Sequence, residues 1–174
     1  LGQLVPNKPD RREICFVKDN DYANYVKRHS NASIKEGNFV DTKGNVLGRH
    51  KGIVNYTIGQ RKGLGIAFGK PMFVIDINAK NNTVILGDNK DLFQHNLIAK
   101  DVNFISIEDI KEPIRVKAKV RYAAKPADAT VYKVGQDKIK IVFDEAQRAI
   151  TKGQSVVMYD GDKVVGGGII ESSF

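Results

Sequence analysis

The chain has 174 residues, 41% of them hydrophobic and 28% charged, with one cysteine and no tryptophan. That length holds one ordinary domain or two small ones. A lone cysteine excludes an internal disulfide framework, and no apolar run is long enough to cross a membrane, so a reducing, cytoplasmic setting is expected. The net charge of +8 admits a polyanionic partner. Its distribution is uneven: residues 1–62 hold 12 Lys/Arg against 6 Asp/Glu, whereas residues 63–174 hold 16 against 14. The excess gathers in the first third, as a binding face requires.

The opening stretch through Val17 has neither a helix cap nor a periodic lead-in, and is expected to continue a longer protein. Ile14-Cys15-Phe16-Val17 reads as a short strand or extended loop. Asp19 or Asn20 can cap a helix over about 21–28 that puts Tyr22, Tyr25 and Val26 on one face. Residues 38–40 and 46–48 flank Asp41-Thr42-Lys43-Gly44, a hairpin turn by composition. The stretch from Arg49 to Gly65 is dense in glycine and cations, predicting a loop with at most one helical turn. Strands follow over 72–77 and 83–86, joined through Lys80-Asn81-Asn82.

From about Leu97 a second set of short strands is predicted, over 102–107, 114–122, 129–134, 139–143, 155–159 and 163–170. Six strands at this spacing suggest a small closed barrel, because closure removes unpaired edges. In the 114–122 strand, Arg115, Lys117, Lys119 and Arg121 alternate with Val116, Ala118, Val120 and Tyr122. Period two sends the cations to one face and the apolar set inward.

Three groups of residues bear on chemistry. Cys15 has two readings: a small buried hydrophobe, or a thiolate favoured by Arg11, Arg12, Lys18 and the helix start after it. Arg49, His50, Lys51, Arg61 and Lys62 sit among glycines that let backbone approach phosphate, yet no Gly-Lys-Ser/Thr follows and no dinucleotide fingerprint is completed. Arg121-Tyr122, with Lys125 beyond, combines charge with a stacking ring. His29, His50 and His95 are scattered, which sets metal sites and hydrolytic triads aside.

These residues carry a resemblance. Glu13-Ile14-Cys15-Phe16-Val17 resembles the segment around the second catalytic cysteine of the bacterial tRNA-specific 2-thiouridylases. Gly37-Asn38-Phe39-Val40-Asp41, Gly48-Arg49-His50-Lys51-Gly52 and the run from Tyr56 to Gly65 are similar to that family's central domain. Phe143-Asp144-Glu145, Gln147-Arg148-Ala149-Ile150-Thr151, Gly153-Gln154 and the Tyr159-to-Ile170 ending resemble its C-terminal barrel. The motifs arrive in family order along essentially the whole chain. Departures are Arg11-Arg12 ahead of Glu13 where Ser-Gln is usual, Ala123-Ala124 after Arg-Tyr, and Ala146 in place of a proline.

The resemblance implies a mostly β fold. Residues 1–97 would form a central domain, with a cysteine-bearing segment over 1–35, one short helix and an SH3-like β-roll over 36–97. Residues 98–174 would form a six-stranded barrel like that of translation factors. It also implies an enzyme that uses ATP to activate C2 of the wobble uridine (U34) in tRNAs for Lys, Glu and Gln, with sulfur supplied through a relay donor protein. Cys15 matches the persulfide position, and Arg121 and Tyr122 match a tRNA-touching pair; Arg49, Gln60, Arg61 and Lys62 complete the expected tRNA surface. The family's ATP-pyrophosphatase loop is not found in the sequence, so ATP is expected on a domain outside this chain, and the chain alone is expected to be inactive. The competing expectation is a stand-alone RNA-binding module whose cysteine is only structural.

Overall fold

The computed structural model describes residues 34–174, so the Cys15 segment and the helix expected over 21–28 lie outside the described residues. About half of the described residues are in strands, which form two sheets, and helix is limited to short 3-10 turns. The first contains β1 (Gly37–Val40), β2 (Val46–His50), β3 (Phe73–Asn78) and β4 (Thr83–Gly87) in the order β2-β1-β4-β3. β1 and β2 form the predicted hairpin, closed by Asp41, whose Oδ1 accepts the Lys43 and Asn45 amides at 2.8 Å each. β3 and β4 form the second hairpin, and β1 lies parallel to β4, with Phe39 opposite Val84. The long loop between β2 and β3 holds one 3-10 turn at Ile53–Asn55, the single helical turn that its composition allows.

This sheet has its own core of Phe39, Tyr56, Leu64, Met72, Val74, Val84 and Leu86. Three of these, Tyr56, Leu64 and Met72, come from the loop, which is therefore folded across the sheet. Buried among the rings is His50, 1% exposed. Its Nδ1 accepts the Gly52 N–H at 3.0 Å, so the proton sits on Nε2, which donates to the Asn82 carbonyl at 3.1 Å. Gly37 lies against this contact: a Cβ there would stand 2.0 Å from the Asn82 oxygen and 2.7 Å from the imidazole.

The second sheet closes on itself. β5 (Phe93–Phe104), β6 (Ile114–Lys119), β7 (Ala127–Lys133), β8 (Ile139–Arg148), β9 (Ser155–Asp160) and β10 (Lys163–Ser173) form an antiparallel barrel in the order β10-β5-β8-β7-β6-β9. Inward positions alternate as period two requires, so Val116, Ala118, Val131, Ile141, Phe143, Val156 and Met158 fill the interior. Several strand bounds differ from the sequence reading, two of them widely. The strand expected over 102–107 begins at Phe93, and the one expected over 139–143 continues to Arg148, because Phe93 pairs with Arg148 and Gln94 with Gln147 in the ladder.

That extension carries the barrel to the first sheet. The Ala149 amide donates to the Leu92 carbonyl at 2.8 Å. The Arg148 guanidinium stacks over the Phe73 ring, 5.7 Å from its centre. Lys152 pairs with Asp76 at 3.2 Å. Gly59 presses so close that a Cβ would lie 3.2 Å from that of Ala149, and its φ of +88° is one that glycine adopts without strain.

Candidate nucleic-acid interface

β6 carries the cation stripe seen in the sequence. Val116, Ala118 and Val120 point into the barrel while Arg115 and Lys117 are exposed. The stripe is not uniform, however. Arg115 clasps Asp144 of β8 through two hydrogen bonds of 2.8 and 2.6 Å, and Lys117 meets Asp128 of β7 at 2.9 Å. Those bonds from Arg115 hold the Asp144 carboxyl below its ordinary range. Half of the stripe is thus neutralised by cross-strand partners, leaving Lys119 and Arg121 without an ion pair to any described residue.

β6 ends at Lys119, so Arg121 and Tyr122 stand on the turn that follows it and not on the strand itself. The Tyr122 ring is 77% exposed, with the Lys119 ammonium 5.1 Å from its centre. A cation over an exposed phenol makes a flat, positively charged platform, which suits a base above and a phosphate beside it. Arg121 lines a cleft of about 590 Å³ next to the platform, and Phe93, Lys125 and Arg148 line it too.

The basic loop reaches the same region from the other sheet. Gly59 and Gln60 dock on β3 through Gly59 N–H to Val74 O at 2.8 Å and Val74 N–H to Gln60 O at 2.9 Å. Gly59 is also the residue that touches the barrel at Arg148 and Ala149. Arg61 and Lys62 follow directly, exposed and without an ion pair to a described residue. Two residues of chain reach no more than about 7 Å, so both cations lie close to the junction. The loop then buries Leu64 and sets Ile66 over Gly48 of β2, next to Arg49, whose guanidinium lies 3.6 Å from Glu36. It thereby spans from Arg148 at one end to Arg49 at the other.

Gln60 acts within this loop. Its Oε1 accepts the Thr57 amide at 3.0 Å and its Nε2 donates to the Lys62 carbonyl at 3.0 Å. It shapes the turn that displays Arg61 and Lys62. Phe93 carries no signal in the sequence, and Arg148 is marked only by the Gln147–Thr151 motif, whose first two residues line this cleft. No group of His, Cys, Asp and Glu suited to a metal is found among the described residues. No helix among them is long and apolar enough to cross a membrane.

Comparison with known proteins places both sheets. Residues 23–88 match the family model described as a tRNA methyl transferase PRC-barrel domain, and residues 94–170 match that described as an aminomethyltransferase β-barrel domain. A PRC-barrel sheet followed by an aminomethyltransferase barrel thus accounts for most of the chain. Among curated relatives, the tRNA-specific 2-thiouridylase MnmA of Clostridioides difficile strain 630 is 76% identical over 99% of this chain and 48% of its own length. The enzymes of the same name from Acetivibrio thermocellus and Clostridium botulinum strain Okra are 60% and 57% identical over 98% of the chain, again 48% of theirs. The chain belongs to the tRNA-specific 2-thiouridylase family. It spans about half the length of the curated relatives it matches.

Proposed function

We propose that the chain is part of an enzyme that replaces the C2 oxygen of the wobble uridine of tRNA with sulfur, and that residues 34–174 hold the tRNA while Cys15 carries the sulfur as a persulfide. The observation that carries the tRNA role is a set of exposed cations with no ion pair to a described residue: Lys119 and Arg121 beside the exposed Tyr122, and Arg61 and Lys62 on the loop that meets the barrel at Arg148. Cations with no ion pair to a described residue, while Arg115 and Lys117 are clasped by carboxylates, support a polyanion whose phosphates serve as their counter-ions.

In this reading the acceptors are the tRNAs for Lys, Glu and Gln, a relay protein charges Cys15, and the reaction runs in the cytoplasm. ATP supplies the activation that makes the C2 oxygen a leaving group. The described residues do not fit ATP: the Gly59–Gly65 loop is folded on Gln60, buries Leu64 and has no Gly-Lys-Ser/Thr. This supports a reading in which ATP binds outside them. The persulfide role rests on the match of Glu13–Val17 to the family's cysteine segment, since a persulfide is a strong nucleophile at neutral pH and serine cannot hold one.

The test is binding of the chain to an unmodified tRNA transcript over a salt series. With about four phosphates engaged, log K falls against log salt with a slope of about −3. Arg121→Ala lowers both the affinity and the slope, whereas Arg115→Ala, whose charge is already paired, changes the slope little. A slope near zero, or equal losses from the two variants, refutes the assignment.

A further inference from the structure

The cleft beside Arg121 has a build that phosphate binding does not require. Its lining includes the apolar Val120, Ala124, Pro126 and Ala127, and Phe93, which shows 40% of its surface. Phe93 lies directly across the ladder from Arg148. Three cations, Arg121, Lys125 and Arg148, line it, and they share it with Glu145 and Gln147. Of the cleft's carboxylates, Asp128 and Asp144 are already engaged by Lys117 and Arg115. Glu145 is exposed and has no ion pair to a described residue. The Gln147 Nε2 donates to the Glu145 carbonyl at 2.9 Å, which leaves the Gln147 side-chain oxygen as an acceptor.

A surface meant only for phosphate would not place an unpaired carboxylate and an exposed phenyl ring among its cations. The same set suits a nucleobase: a ring face to stack on, acceptors for the base edge, and cations for the flanking phosphates. The volume of about 590 Å³ admits one nucleotide with room for its neighbours' phosphates. Because Arg121 lines the cleft and also adjoins the Lys119–Tyr122 platform, a strand of RNA lying on the platform can drop one base into it.

We propose that this cleft is a base-reading site for a single unstacked guanine of the bound tRNA, stacked on Phe93 and held at its Watson–Crick edge by the Glu145 carboxylate. Guanine fits because its N1–H and N2–H2 are two adjacent donors that a carboxylate accepts together. Uracil and cytosine offer one such donor group, and adenine sets an acceptor beside its amine. The inference rests on the tRNA-binding reading and adds to it a sequence-dependent contact away from the reacting uridine.

The sign of one substitution separates this from general electrostatics. A carboxylate that merely faces a polyanion repels it, so Glu145→Gln would then leave tRNA affinity unchanged or raise it. If Glu145 reads guanine, Glu145→Gln lowers affinity about fivefold or more, and Phe93→Ala does the same through lost stacking. Affinities of the 174-residue chain for a tRNA transcript are measured for both variants beside Arg121→Ala, with thermal unfolding of each to verify the fold. In parallel, amide shifts of the chain are followed on adding GMP, then AMP and UMP. Shifts at Phe93, Glu145 and Gln147 that appear with GMP at lower concentration than with the other two are expected. Unchanged or tighter binding by folded Glu145→Gln overturns the guanine site, as does an identical response to the three nucleotides. If Arg121→Ala still weakens binding in that case, the tRNA reading stands without the cleft. If no variant changes binding, both fall.

Discussion

His50 offers the sharpest test of how the smaller sheet is held together. It is fully enclosed by Phe39 and Tyr56, whose ring centres lie 5.5 and 5.6 Å away, and both of its nitrogens are used. Burial pushes its pKa below the ordinary 6.5, against a weaker opposite pull from the Asn82 carbonyl. Replacing it with Phe keeps most of the volume but strands the Gly52 N–H and the Asn82 carbonyl. Each such loss costs about 1–3 kcal/mol, so a total of about 2–6 kcal/mol is expected near pH 7.5. Against a typical stability of about 5–15 kcal/mol, that is a large share.

The pH dependence adds a second, independent reading. Because the folded pKa is lowered, the folded chain keeps His50 neutral while the unfolded chain takes up a proton below about 6.5. Stability from this group is complete above that pH and is lost as pH falls toward the folded pKa. Between pH 7.5 and 5.5 the loss amounts to at most about 1.4 kcal/mol for one proton. His50→Phe lacks this loss, so the gap between wild type and variant narrows toward acid. Denaturant unfolding at pH 5.5, 6.5 and 7.5 measures it, and the other histidines cancel in the difference. A gap that stays constant or widens at low pH refutes a neutral, doubly bonded His50.

Other consequences follow from neighbouring observations. Gly37→Ala forces a methyl group into the Asn82 oxygen, and a loss of about 2 kcal/mol or more is expected in the urea midpoint of the smaller sheet. The Asp144 carboxyl, held down by Arg115, titrates below its usual 3.8; its contribution is present above that pH and fades as pH falls through the folded value, which carboxyl NMR follows directly. Arg115→Ala returns the Asp144 titration to the ordinary range, and no change there means the clasp is absent in solution. In the full-length protein Cys15→Ser abolishes 2-thiouridine formation while leaving tRNA affinity within about twofold of wild type; thiolated nucleosides from that variant remove Cys15 from the mechanism.

What the sequence disclosed, it disclosed through local rules. The Asp41–Gly44 and Lys80–Asn82 turns, the alternation along 114–120 and the succession of six short strands all depend on residues within a few positions of one another. The misplaced boundaries share one cause. Gln94-His95-Asn96 and Asp144-Glu145-Ala146-Gln147-Arg148 carry polar residues on both faces, so no alternation marks them as strands. They pair because each finds the other, about fifty positions away, where the barrel meets the smaller sheet. His50 was equally opaque: its role is set by a carbonyl 32 residues later.

The same distance effect governs the candidate site. Read along the strand, Arg115, Lys117, Lys119 and Arg121 are four equivalent cations, and a footprint drawn from them spreads over the whole of β6. Folding breaks the equivalence. β7 and β8 bring Asp128 and Asp144 to Arg115 and Lys117 in the first part of the strand, while Lys119 at its end runs past β7 and pairs only with β9, and Arg121 lies beyond it. Arg61 and Lys62, 60 positions earlier than Arg121, gain relevance only because Gly59 is small enough to let the loop touch Arg148. Exposed pairs contribute little to stability, so the clasped half of β6 is better understood as confining positive potential to one end of the barrel. Under the proposed function, an RNA drawn to that end would meet the cations that have no ion pair to a described residue together with the Tyr122 ring and the cleft, which would fix its register in a way that a uniformly basic strand could not.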